Sequence, residues 1–128
     1  MNRMKLVASC ALVSLALCPT FAAAEGDSAR GETLFSRCSG CHTVNGQNRA
    51  GPSLAGVLGR KAGSVEGARY SKALSQSELV WNEENLDAYL AAPAMLVRGT
   101  TMTMRITNEQ DRQDIIAYLK SLGPGAEQ

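Results

Sequence analysis

Cys38-Ser39-Gly40-Cys41-His42-Thr43-Val44 sets two thiols and the chain's single histidine inside five residues. Such a group can attach a haem, ligate a zinc ion or close a reducible disulfide, and each choice implies a different protein. The position of the histidine is the informative part. In haem attachment by Cys-x-x-Cys-His, both thiols form thioether links to the porphyrin edge, and the next residue along the chain directs its imidazole at the iron. A structural zinc site asks for four Cys or His ligands, and downstream of residue 24 the chain offers only Cys38, Cys41 and His42. A redox disulfide of the thioredoxin kind needs a βαβ setting that no segment supplies, and a plain disulfide would close a very short loop and leave His42 without a purpose.

The region before the motif bears on this choice. Arg3 and Lys5 precede a mostly apolar run from Leu6 to Leu17, followed by Pro19 and Ala22-Ala23-Ala24, the order of parts in a secretory signal. Cleavage after Ala24 is expected to leave residues 25–128 as one domain and to remove Cys10 and Cys18. An uncleaved anchor would need a longer uninterrupted apolar run, and neither Cys10 nor Cys18 sits where a lipid-bearing cysteine would. Without the signal, 11 of the 13 Lys and Arg remain against 12 Asp and Glu, a formal net charge of −1. That balance, with five aromatic residues and no basic cluster, excludes nucleic acid as the expected partner. Export, to the periplasm or beyond, also places Cys38 and Cys41 where an idle pair would oxidise.

Downstream, the pattern is helical and loop-rich. Ser28 to Arg37 reads as a short amphipathic helix carrying Ala29, Leu34 and Phe35 into the motif. Six glycines and Pro52 between Thr43 and Gly67 read as a long loop, of the kind a bound cofactor orders. Asn82 to Ala91 places Leu86, Tyr89 and Leu90 behind Glu83 and Glu84, with Pro93 as a stop. Pro93 to Thr107 reads as a second loop, and Thr107 to Gln110 as a capping box for a last helix to Leu122, with Ile115, Ile116, Leu119 and Leu122 on its apolar face. No run alternates as a strand does. The expected fold is mainly α, with a thin core that an internal apolar body such as a haem would fill.

The other face of a His42-ligated iron suits a soft thioether. Met95 lies just behind Pro93, at a helix end, whereas Met102 and Met104 lie in a segment freed by Gly99, so the residues leave a choice between 102 and 104.

The chain resembles the class I cytochromes c, within them the mitochondrial cytochrome c and bacterial cytochrome c2 or c550 group. The resemblance rests on "GETLFSRCSGCHTV", "GPSLAGVLGRKAG", "YSKAL", Trp81, "LDAYLAAP", "GTTM" and "DIIAYLKSL", in the family's order over nearly the whole length after residue 24. It implies several short helices and long loops around one covalent haem c per chain. Gly-Thr-x-Met implies Met102 as the second iron ligand beside His42, with Met104 as a neighbour. The Pro52 carbonyl is implied to hold the His42 ring, Arg60, Tyr70 and Trp81 to approach the haem propionates, and Tyr89 to point its hydroxyl at the methionine ligand. Arg98 stands where the family has proline, Thr101 where the mitochondrial branch has lysine, and Leu74 where it has asparagine.

The function so implied is that of a monomeric one-electron carrier, not an enzyme. It would meet an oxidase, a bc1-type complex or a periplasmic dehydrogenase in transient complexes, and a membrane only through an uncleaved signal. Arg37, Arg49, Arg98 and Arg105 flank the ligand segments and are candidates for a positive rim. The competing reading is a haem sensor of carbon monoxide or nitric oxide, in which Arg98 loosens the loop and Met102 is displaceable.

Overall fold

The computed structural model describes residues 25–124, so the expected signal lies outside the described residues. Asp27 accepts a hydrogen bond from the Arg30 amide at 3.0 Å and opens α1 (Ser28–Leu34), which tightens into a 3₁₀ turn over Phe35–Arg37. That turn delivers Cys38, as the sequence anticipates. Four further helices follow: α2 (Lys72–Ser75), α3 (Glu83–Ala91), α4 (Pro93–Leu96) and α5 (Glu109–Ser121). Among the described residues there is no strand, only isolated bridges at Gly56–Pro124 and Lys61–Val80. No described helix is long and apolar enough to cross a membrane.

The helix ends follow local chemistry. Asn82 caps α3 in a reciprocal box with Asn85. Ala92 breaks that helix at φ −159° because the following Pro93 disfavours the helical region for it. Pro93 does more than stop α3. Its ring pre-sets the first position of α4, so the segment after it opens with a helical turn where a loop was expected. The cap of α5 is likewise one residue later than Thr107: Asn108 accepts from the Asp111 amide at 2.9 Å. Asn outranks Thr in that position, and the residue three beyond it, Asp111, turns to α1 instead of reaching back. The short α2, capped by Ser71, was not evident from periodicity, since four residues hold barely one turn.

α1 and α5 cross in backbone contact. A Cβ built at Gly31 would lie 1.9 Å from the Asp114 carbonyl oxygen, and one at Gly26 would lie 2.2 Å from that of Gln113. Phe35 meets Tyr118 with ring centroids 5.7 Å apart. The core gathers Phe35, Cys38, Val57, Trp81, Leu86, Tyr89, Leu90, Ile106, Ile115, Ile116 and Leu119 from every part of the chain. Leu122, placed by periodicity on the apolar face of α5, is 36% exposed.

Candidate functional site

Cys38, Cys41 and His42 occupy one tight turn that continues the 3₁₀ segment. The amides of Cys41 and His42 both donate to the Cys38 carbonyl, at 3.1 and 2.9 Å. Both thiols are free. Cys38 is buried and Cys41 exposed, and burial pushes the Cys38 thiol above its usual pKa while the nearby Arg37 charge opposes the shift. Among the described residues no three His, Cys, Asp or Glu side chains converge as a metal site.

The imidazole is fixed by its neighbours. Nδ1 of His42 lies 2.8 Å from the Pro52 carbonyl oxygen. A carbonyl only accepts, so Nδ1 is the donor of this bond, and in the neutral tautomer that it selects the lone pair is on Nε2. Gly51 lets the loop close on the ring: a Cβ there would sit 2.4 Å from Cε1 of His42 and 2.8 Å from Nδ1. The Gly51 amide also donates to the Cys41 carbonyl at 2.8 Å, which ties the Gly-Pro loop to the cysteine turn.

Three methionines lie downstream of residue 24, and exposure separates them. Met95 is 85% exposed and Met104 42% exposed, whereas Met102 is partly buried against the core. Gly99 turns the chain ahead of that loop at φ 90°. The Tyr89 hydroxyl pairs with Thr100 Oγ1 at 2.6 Å, and the same oxygen accepts from the Met102 amide at 3.4 Å. Tyr89 thus reaches the methionine loop through Thr100, the threonine of Gly-Thr-x-Met. Burial raises the Tyr89 pKa, against the smaller effect of that hydrogen bond.

Arg60 extends its guanidinium to the carbonyls of Ala55 (3.1 Å) and Ser53 (3.0 Å) and pairs with no carboxylate among the described residues. Burial holds it below its usual pKa, the mark of a partly desolvated cation without a counter-charge. Tyr70 accepts from the Val65 amide at 3.1 Å, which leaves its own O–H able to donate elsewhere. Trp81 is buried and tilts against Tyr89 with centroids 5.0 Å apart. This donor set fits a haem: two free thiols, an imidazole with an available Nε2, a core-facing thioether, and a guanidinium and a phenol with capacity for carboxylates.

Comparison with known proteins agrees. The cytochrome c family model matches residues 28–123. The chain is 43% identical to cytochrome c of Tetrahymena pyriformis, over 81% of this chain and 96% of that one. It is 41% identical to a cytochrome c2 of Rhodopseudomonas palustris, over 75% and 98%. The structure of cytochrome cH from Methylobacterium extorquens superposes with a TM-score of 0.71 at 43% identity, covering 75% of this chain and 99% of that one. With two thiols and an oriented imidazole on one turn and these likenesses along the whole described fold, the chain belongs to the cytochrome c family, binds haem c and is an electron-transfer protein.

Proposed function

We propose that the mature chain begins at Glu25, is exported, and carries single electrons between redox proteins on a haem iron that His42 and Met102 would hold. The observation that carries this reading is the His42–Pro52 hydrogen bond, which presents Nε2 as the free donor atom. Cys38 and Cys41 would hold the porphyrin edge through thioethers. Haem bound there supplies an iron couple that gains and loses one electron. The protein's residues do the rest.

His42 donates through Nε2, and the Pro52 carbonyl increases its donor strength by drawing on the Nδ1 proton. Met102, partly buried against the core, would offer a neutral thioether, a ligand that favours the reduced metal. Arg60 and Tyr70 would receive propionates, with Trp81 beside them, offsetting charge that the fold otherwise leaves uncompensated on Arg60. The packed loop carrying Thr100 and Tyr89 restrains the methionine and so keeps reorganisation small. With His42 and Met102 both engaged, the iron would offer no position for a substrate. Cleavage after residue 24 is supported by the sequence, in which Pro19 and Ala22-Ala23-Ala24 follow the apolar run from Leu6 to Leu17. An oxidase, a bc1-type complex or a periplasmic dehydrogenase would meet this protein in short-lived complexes.

The test is carbon monoxide binding to the reduced, matured protein at neutral pH. A carrier with a firmly held Met102 binds it slowly or not at all. Rapid binding would replace this reading with that of a haem sensor.

A further inference from the structure

Arg49 entered as a candidate for a positive docking rim, yet its side chain is engaged with the haem-attachment turn. Its Nη1 donates to the Ser39 carbonyl at 2.7 Å, within the two-residue spacer between Cys38 and Cys41. Its own amide donates to the Gly51 carbonyl at 2.9 Å, and the Gly51 amide donates to the Cys41 carbonyl at 2.8 Å. The next carbonyl, that of Pro52, receives the His42 Nδ1 proton. Beyond it the Leu54 amide closes onto the Thr43 carbonyl at 2.8 Å. The Gly-Pro loop is therefore fastened to the cysteine turn by a row of bonds in which Ser39–Arg49 is the end rung, and that rung is a charge-assisted side-chain bond.

We propose that Arg49 is a positioning residue for His42: by clamping the Cys38–Cys41 spacer to the Gly-Pro loop, it holds the Pro52 carbonyl in register with Nδ1 and so sets the donor strength of the ligand. This rests on the reading of His42 as the iron ligand. Gly51 makes the coupling tight, because its backbone lies directly on the imidazole and any drift of the loop moves against the ring. Ser39 and Gly40 are exposed, and without the guanidinium the Ser39 carbonyl would face water.

The sign of the redox effect separates this role from a simple surface charge. Removing a positive charge near the iron disfavours reduction and lowers the potential. Loosening the His42–Pro52 bond weakens the imidazole as a donor, destabilises the oxidised metal and raises the potential. The experiment compares matured wild type with Arg49→Gln, Arg49→Lys and Arg105→Gln. It reads the reduction potential and the solvent exchange of the His42 Nδ1 proton by nuclear magnetic resonance. Arg49→Gln is expected to have a higher potential than Arg105→Gln, with Nδ1 exchange accelerated several-fold over wild type, and Arg49→Lys, which keeps the charge and a donor, is expected to return exchange toward wild type. Equal potentials in the two Gln variants, or unchanged exchange in Arg49→Gln, overturns the proposal. Should Arg49→Gln fail to mature, Arg49→Met carries the same comparison. Absence of iron-shifted His42 ring protons in wild type would instead sink the ligand reading.

Discussion

His42 makes one ring hydrogen bond, and its geometry decides which nitrogen is available to a metal. Because the Pro52 carbonyl takes the Nδ1 proton and Gly51 supports the ring face, the imidazole has little rotational freedom. Gly51→Ala places a methyl group 2.4 Å from Cε1, and neither the ring nor the loop tied to Cys41 has room to yield. The expected outcome is a loss of about 1–3 kcal/mol of stability, as in overpacked cores, together with a raised potential, read by thermal unfolding and voltammetry of the matured protein. A wild-type potential in that variant would show that the ring is not held by the loop. At this scale the sequence was informative where a residue type is rare: the single histidine, and the two cysteines and three methionines that lie downstream of residue 24, limit the choices. Thr100 carries no such signal and Arg49 reads only as a rim charge, because both are common residues whose roles depend on where the backbone carries them.

Between elements, the α1–α5 crossing joins a backbone contact to a carboxylate network. Asp114 is only 1% exposed. It accepts from the Asp27 amide at 2.8 Å, from the Arg30 guanidinium and from Gln110 at 2.8 Å, while Asp111 pairs with Arg30 at 2.5 Å and Arg37 at 3.0 Å. The Asp27 amide, aided by Arg30 and against the cost of burial, holds the Asp114 carboxyl below the usual 3.8. A depressed carboxylate adds stability that is present above its unfolded pKa and lost as pH falls through the folded one. Asp114→Asn is therefore expected to lower stability at neutral pH by about 1–3 kcal/mol, the cost of mismatched buried hydrogen bonds, and to flatten the decline of melting temperature below pH 4. A wild-type slope in the acid limb would remove Asp114 from this account. Gly31→Ala, which sets a methyl 1.9 Å from the Asp114 carbonyl oxygen, should part the two helices and cost about 1–3 kcal/mol in a denaturant titration. Periodicity and capping residues made α3 and α5 legible to within a residue. The helical turn after Pro93 and the role of Gly31 were not, because a proline reads as a stop and a glycine as a helix fault until its neighbour is known.

At the scale of the molecule, few large apolar residues serve a chain whose middle is loop, and the core draws them from every segment around the cysteine turn. The fold class followed from composition and order of motifs; the pairing of surface charges did not, because it depends on which loops meet. The four arginines expected as a rim are all exposed; Arg37 is paired with Asp111, whereas Arg49 and Arg105 donate to the neutral Ser39 and Ala91 carbonyls and keep their charge. With a net charge of −1 for the chain from Glu25, long-range steering is weak. Electron transfer to an acidic partner should slow by less than about tenfold between low and physiological salt, the shallow end of steered association, in stopped-flow measurements; a much steeper dependence would require a denser charged face than these arginines form.

The central claim is ligation by His42 and Met102. It is tested most directly by the long-wavelength absorption band that a methionine–iron bond gives in the oxidised, matured protein. The band is expected in wild type and in Met104→Ala, and its loss is expected in Met102→Ala. A band that survives in Met102→Ala, or one lost in Met104→Ala alone, would contradict it.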